Sequence, residues 1–194
     1  MQKFMNRLAH VMAMLGGTVL TGLILLVCLS IVGRTAASVL HLSAVQSVFG
    51  GAAAWLLDHG VGPVTGDFEL VEAGMAFTVF AFLPICQISS SHATVDIVTN
   101  FFSPTLQRFL RAAAEVLFAV VICVIAWKLW DGLQDKIKRG DTSFLLQFPI
   151  WWAFAASFGA AVVAVLVSIY VSLVRVAELV SGRMILLDGP EAEH

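Results

Sequence analysis

The sequence predicts an all-α integral membrane protein with four transmembrane helices and an interfacial helix between the first two. Three observations carry that prediction. Apolar stretches run at about 11–33, 70–88, 109–127 and 150–174, and each approaches or exceeds the roughly 20 residues that cross a hydrocarbon core. None has a charged side chain near its middle. Hydrophobic residues make up 59% of the 194 residues and charged residues only 12%, against about 25% charged in an ordinary soluble domain. The four spans are expected to form one membrane domain over 1–194. The net charge of −2 and the absence of a basic run give no reason to expect nucleic acid as a partner.

Span 1 lies between Arg7 and Arg34. Its charged start resembles a signal peptide, but the apolar run is too long and lacks a clear cleavage site, so a retained span is expected. Small residues at Ala13, Gly17, Thr18 and Gly22 form small-xxx-small pairs, which permit close helix approach. The connection 35–66 is long and only weakly polar. An interfacial helix is expected around 46–57, broken afterwards by Gly60, Gly62 and Pro63.

Span 2 opens with Asp67, Glu69 and Glu72, acids that complement the positive end of the helix dipole. Glu72 sits deep enough to need a partner. Pro84 falls inside the span and should kink it, and Gln87 with Ser89, Ser90 and Ser91 makes the exit polar. Span 3 starts at Ser103-Pro104, a good N-cap followed by the residue favoured at the first helical position. Arg108, Arg111 and Glu115 share a face, and Arg111 or a basic group on another helix is the expected partner of Glu115. The helix should run on past the bilayer through 128–140, because no breaker appears until Gly140. Span 4 opens near Pro149 and Trp151. It carries small residues at strict i+4 spacing, Ala156, Ala160, Ala164, Ser168 and Ser172, which mark a packing ridge.

Orientation is weakly encoded. Lys3, Arg7, Arg108, Arg111, Arg175 and Arg183 fall on one side, and Arg34, Lys128, Lys136, Lys138 and Arg139 on the other. The first helix usually dominates, which favours cytoplasmic termini. All five tryptophans, Trp55, Trp127, Trp130, Trp151 and Trp152, then lie toward the opposite, periplasmic face, as in an interfacial belt.

Much familiar chemistry has no residues to support it. The histidines, His10, His41, His59, His92 and His194, all lie outside the middles of the spans, so haem ligation within the bundle is not expected. Cys28, Cys86 and Cys123 sit one per span and read as buried small hydrophobes. No nucleophile motif or nucleotide-binding loop occurs, so no catalytic, metal or cofactor-binding residue is expected. Inverted repeats with broken helices, usual in a self-contained secondary transporter, are missing too.

Several pieces in order resemble the small membrane subunit of tripartite ATP-independent periplasmic (TRAP) transporters. They are the acid entering span 2 (Glu69 or Glu72), the exit Phe82-Leu83-Pro84-Ile85-Cys86-Gln87, the element Ser91-His92-Ala93-Thr94-Val95-Asp96, and the span 4 start Phe148-Pro149-Ile150-Trp151. The resemblance covers about 7–178. It departs from the family at Ser91 and Ala93, and in the length of the 35–66 connection. It implies a multi-pass protein of the bacterial inner membrane with two partners. A large membrane subunit would hold the substrate and sodium sites, and a periplasmic binding protein would deliver a small organic anion, a carboxylate or sulfonate. This chain would brace the large subunit through the span 4 ridge or the span 1 small face. His92 and Asp96 would hold the cytoplasmic connection, and Arg34, Lys136, Lys138 and Arg139 would meet acids on the binding protein. The competing reading is a membrane anchor or assembly subunit of a respiratory complex.

Overall fold

The computed structural model describes residues 2–89 and 104–181. The candidates His92 and Asp96 lie outside the described residues. Those that are described are nearly all helical: α1 (Gln2–Leu40), α2 (Ser43–Asp58), α3 (Asp67–Ile88), α4 (Pro104–Arg139) and α5 (Trp151–Ser181). Four of these, α1, α3, α4 and α5, are long and apolar enough to cross a membrane. The expected interfacial segment is a helix too, α2, of 16 residues.

The helices run beyond the apolar windows that announce them. With 39, 36 and 31 residues, α1, α4 and α5 reach roughly 58, 54 and 46 Å at 1.5 Å per residue. A hydrocarbon core is only about 30 Å thick. The cause is a lack of stop signals. The polar extension 128–139 holds no proline, and its one glycine, Gly132, stays helical against the Phe154 ring; α4 ends where Gly140 takes a left-handed φ of 64°. Its last turn holds Lys136, Lys138 and Arg139, cations that suit the negative end of the helix dipole. Pro84 does not end α3, which continues to Ile88 around a fully buried ring.

The spans do not close into a square bundle. α1 and α5 both pack on α3, and α5 packs on α4 along most of its length, while α1 and α5 barely touch. They meet where Met12 on α1, Ala81 on α3 and Ala160 on α5 share a small buried cluster. The close approach there requires Gly16, because a Cβ at that position would stand 2.9 Å from the Cβ of Ala81. The anticipated small face of α1 is not the one that packs on α3. Gly22 has nothing within 4 Å, Gly17 only the edge of Phe82 at 3.9 Å, and the Thr18 hydroxyl donates back to the Met14 carbonyl at 2.8 Å. Gly16 is one residue away, so the periodicity is legible but the face is not.

Most of the span 4 ridge is used inside the chain. Ala160, Ala164, Ser168 and Ser172 are buried, and only Ala156 is exposed. Those four residues pack α5 within this bundle, which removes them as a docking surface for a large subunit. The cysteines also differ from expectation. Cys28 and Cys86 are exposed and Cys123 is half-buried.

Candidate functional site: the loop end, a cavity and a groove

The end of the bundle that carries the 59–66 turn and the 141–150 loop is built by three acids acting separately. Asp67 opens α3 and takes the Phe68 N–H on Oδ1 at 2.8 Å. Its Oδ2 accepts the Ser30 hydroxyl and lies 3.7 Å from Arg34 Nη2. Ser30 in turn accepts the Val64 N–H at 3.3 Å, so one residue of α1 holds both the turn and the start of α3. Gly33 lets the turn come down on α1, since a Cβ there would fall 2.1 Å from the Gly62 carbonyl oxygen.

Glu69 holds the other loop. Its two carboxylate oxygens accept the N–H groups of Leu145 and Leu146 at 2.7 and 2.9 Å. Gln147 follows with φ of 57°, and the Leu146 side chain lies over Gly66, where any Cβ would collide with it. The loop base closes through Ser143 N–H to the Phe148 carbonyl at 2.9 Å and Ile150 N–H to the Asp141 carbonyl at 3.0 Å. Pro149 pairs opposite Thr142 and offers its carbonyl to the Trp152 N–H, opening α5. Trp151 is exposed and stands edge-on to Trp152, 6.1 Å between ring centroids.

Lys136 Nζ meets Asp141 Oδ2 at 2.8 Å, and that hydrogen bond is the main cause that holds the Asp141 carboxyl below its ordinary 3.8. A depressed folded pKa means the contribution is complete above the ordinary carboxylate value and is lost as pH falls through the lower, folded one. A spin label on the loop should therefore gain mobility on acidification below about pH 4. Asp141→Asn should raise the mobility of the loop at neutral pH, and the acid transition it keeps belongs to the Glu69 carboxylate, which holds the same loop. A pH-independent spectrum in the parent chain would contradict this.

Under the loop lies a cavity of about 470 Å³, lined by Glu69 and Glu72, by Phe144, Phe148 and Phe154, and by Ser157 on α5. Glu72 is exposed at its edge. Beside it, toward the loop end, α1 and α5 diverge over α3. Here an apolar groove of about 620 Å³ opens between Val19, Gly22 and Leu26 on α1, Ala73 and Phe77 on α3, and Ala153 and Ala156 on α5. Ala156 and Gly22, which find no packing role inside the chain, both face this groove.

At the opposite, terminal end the polar residues are buried. Gln87 is 0% exposed, and its Nε2 donates to Glu115 Oε2 at 2.8 Å. Arg111 sits half-buried one turn from Glu115 on the same face of α4. On α5, Arg175 and Glu178 are both 6% exposed and pair at 3.0 Å. The amide of Gln87 is a partner of Glu115 that local spacing does not reveal, because it lies 28 residues away on another helix.

Of the basic residues expected to meet a binding protein, three already have acids within the chain. Arg34 is beside Asp67, Lys136 on Asp141, and Arg139 3.6 Å from Asp135. Lys138 is the one of the four without an acidic partner among the described residues. Such exposed pairs are worth about 0–1 kcal/mol, so a partner could exchange them at little cost.

Among curated proteins and among solved structures, none matches the chain. A family model does, that of the tripartite ATP-independent periplasmic transporters, DctQ component, over residues 23–179. The match spans α2, α3 and α4 entirely, together with the second half of α1 from residue 23 and nearly all of α5. A four-span helical protein with this match belongs to the DctQ family, the small membrane subunit of TRAP transporters.

Proposed function

We propose that this chain braces the large membrane subunit of a sodium-coupled TRAP transporter and helps seat its binding protein, for uptake of a small organic anion. The observation that carries this reading is the groove between α1, α3 and α5. It is apolar, floored by small residues, and left open by two helices that diverge instead of closing. Lipid tails are as apolar as side chains, so helices associate in a bilayer by close van der Waals contact. A surface of Gly22, Ala73 and Ala156 suits the approach of a partner helix.

The distribution of charge supports the same reading. Between Glu72 and the end of α3, between Glu115 and Lys128, and between Trp151 and Arg175, no Asp, Glu, Lys, Arg or His occurs. Ion pathways usually place such groups at that depth, so the sodium and solute sites belong to the large subunit. With cytoplasmic termini, the loop end faces the periplasm, where Lys138 and the pairs around Arg34 and Lys136 meet the binding protein.

Reconstitution tests the proposal. Liposomes holding this chain with the large subunit should take up solute only when the binding protein and a sodium gradient are both present. Liposomes holding this chain alone should show no flux. Sodium-driven flux by this chain alone would refute the bracing role.

A further inference from the structure

The cavity beneath the 141–150 loop has a chemistry that bracing a partner does not use. It is lined by two carboxylates, by aromatic rings and by hydroxyl groups, with no lysine, arginine or histidine. Both oxygens of Glu69 are engaged by the loop N–H groups. Glu72 is exposed at the edge and has no hydrogen-bond or ion-pair partner among the described residues. Ser157, on the α5 wall, is 1% exposed, and its Oγ has no hydrogen-bond partner. A helix serine usually satisfies itself on a preceding carbonyl, so an unpaired hydroxyl beside a cavity points to a ligand.

We propose that this cavity binds an organic ammonium group carried on an apolar stem, with Glu72 as its counter-ion and Phe148 and Phe154 as its walls. The lining excludes the alternatives. An anion would meet carboxylates and no base. An inorganic cation such as calcium takes six or more oxygen ligands, and here one free carboxylate and the hydroxyls of Thr142, Ser143 and Ser157 share the lining with phenyl rings. Aromatic faces beside a carboxylate suit an alkylated ammonium, which the ring quadrupole attracts. The volume of about 470 Å³ lies within the usual range for small-ligand sites, roughly 300–1,000 Å³. Glu72 is five residues into α3, about 8 Å along its axis. That depth puts it near the boundary between headgroups and hydrocarbon, where an amino headgroup or a membrane-partitioned amine would present its charge.

The test uses the full chain in maltoside micelles, with hexyltrimethylammonium as the probe in isothermal titration. One saturable site is expected, weakened tenfold or more by Glu72→Gln and abolished by Ala76→Phe, which fills the cavity. Hexanoate should not bind. Phosphatidylethanolamine added to the micelles should raise the apparent Kd if the natural source is a lipid headgroup. An unchanged Kd would assign the site to a free amphiphilic amine. Equal probe affinity in the parent and in helical, folded Glu72→Gln would overturn the proposal, as would equal binding of hexanoate. Should Glu72→Gln fail to fold, undiminished binding to folded Ala76→Phe would overturn it alone. The outcome leaves the bracing role untouched, because that role is read from co-assembly and uptake.

Discussion

Ala156→Trp should abolish recovery of the large membrane subunit with this chain while leaving the chain itself folded. Ala156 is exposed and lines the groove where α1 and α5 diverge. An indole there fills the space a partner helix needs. Overpacking costs about 1–3 kcal/mol, and each 1.4 kcal/mol is tenfold in affinity, so a loss of tenfold or more in co-purification is expected. Ala160→Trp, one turn along the same ridge, makes the comparison decisive. Ala160 is 1% exposed and touches Met12 and Ala81, so that variant should fail to fold. If both variants assembled normally, or both misfolded, the assignment of the groove as the outward face would be wrong.

Glu178→Ala should destabilise the chain more than any single surface charge change. Glu178 and Arg175 are both nearly buried and paired at 3.0 Å. Removing the acid leaves a buried guanidinium without that counter-charge, a loss of about 3–5 kcal/mol for a buried pair. Replacing both residues, Arg175→Met with Glu178→Leu, should recover much of it, because well-packed apolar residues often match a buried pair in stability. Unfolding of the detergent-solubilised chain in a denaturant series reads both. A single substitution no more harmful than Lys138→Ala would show that the pair carries little.

How far the sequence discloses this architecture depends on the range of the interaction. The spans were legible because a bilayer demands long apolar windows, and Gly60, Gly66 and Gly140 mark breaks with left-handed φ. The extension of α4 to Arg139 was legible for the same local reason. The packing faces were not. Gly16 and Gly17 are adjacent in a helix rich in small residues, and only the position of Ala81 decides which of them matters. The acids of span 2 read as a dipole-complementing cluster, yet they part into a turn holder, a loop holder and an open cavity residue. Glu69 is the clearest case: its partners are backbone N–H groups more than seventy residues away, which no side-chain spacing encodes. Gln87 and Glu115 were each conspicuous, but their pairing is non-local.

The open groove, not the buried ridge of α5, is the face expected to receive the companion subunit. Photo-crosslinking from single positions in the assembled complex tests it most directly. A photoreactive residue at Gly22 or Ala156 should capture the large membrane subunit, and one at Leu117 or Val121, exposed on α4, should capture lipid. Capture of the large subunit from Leu117 and Val121, with none from Gly22 and Ala156, would contradict the account.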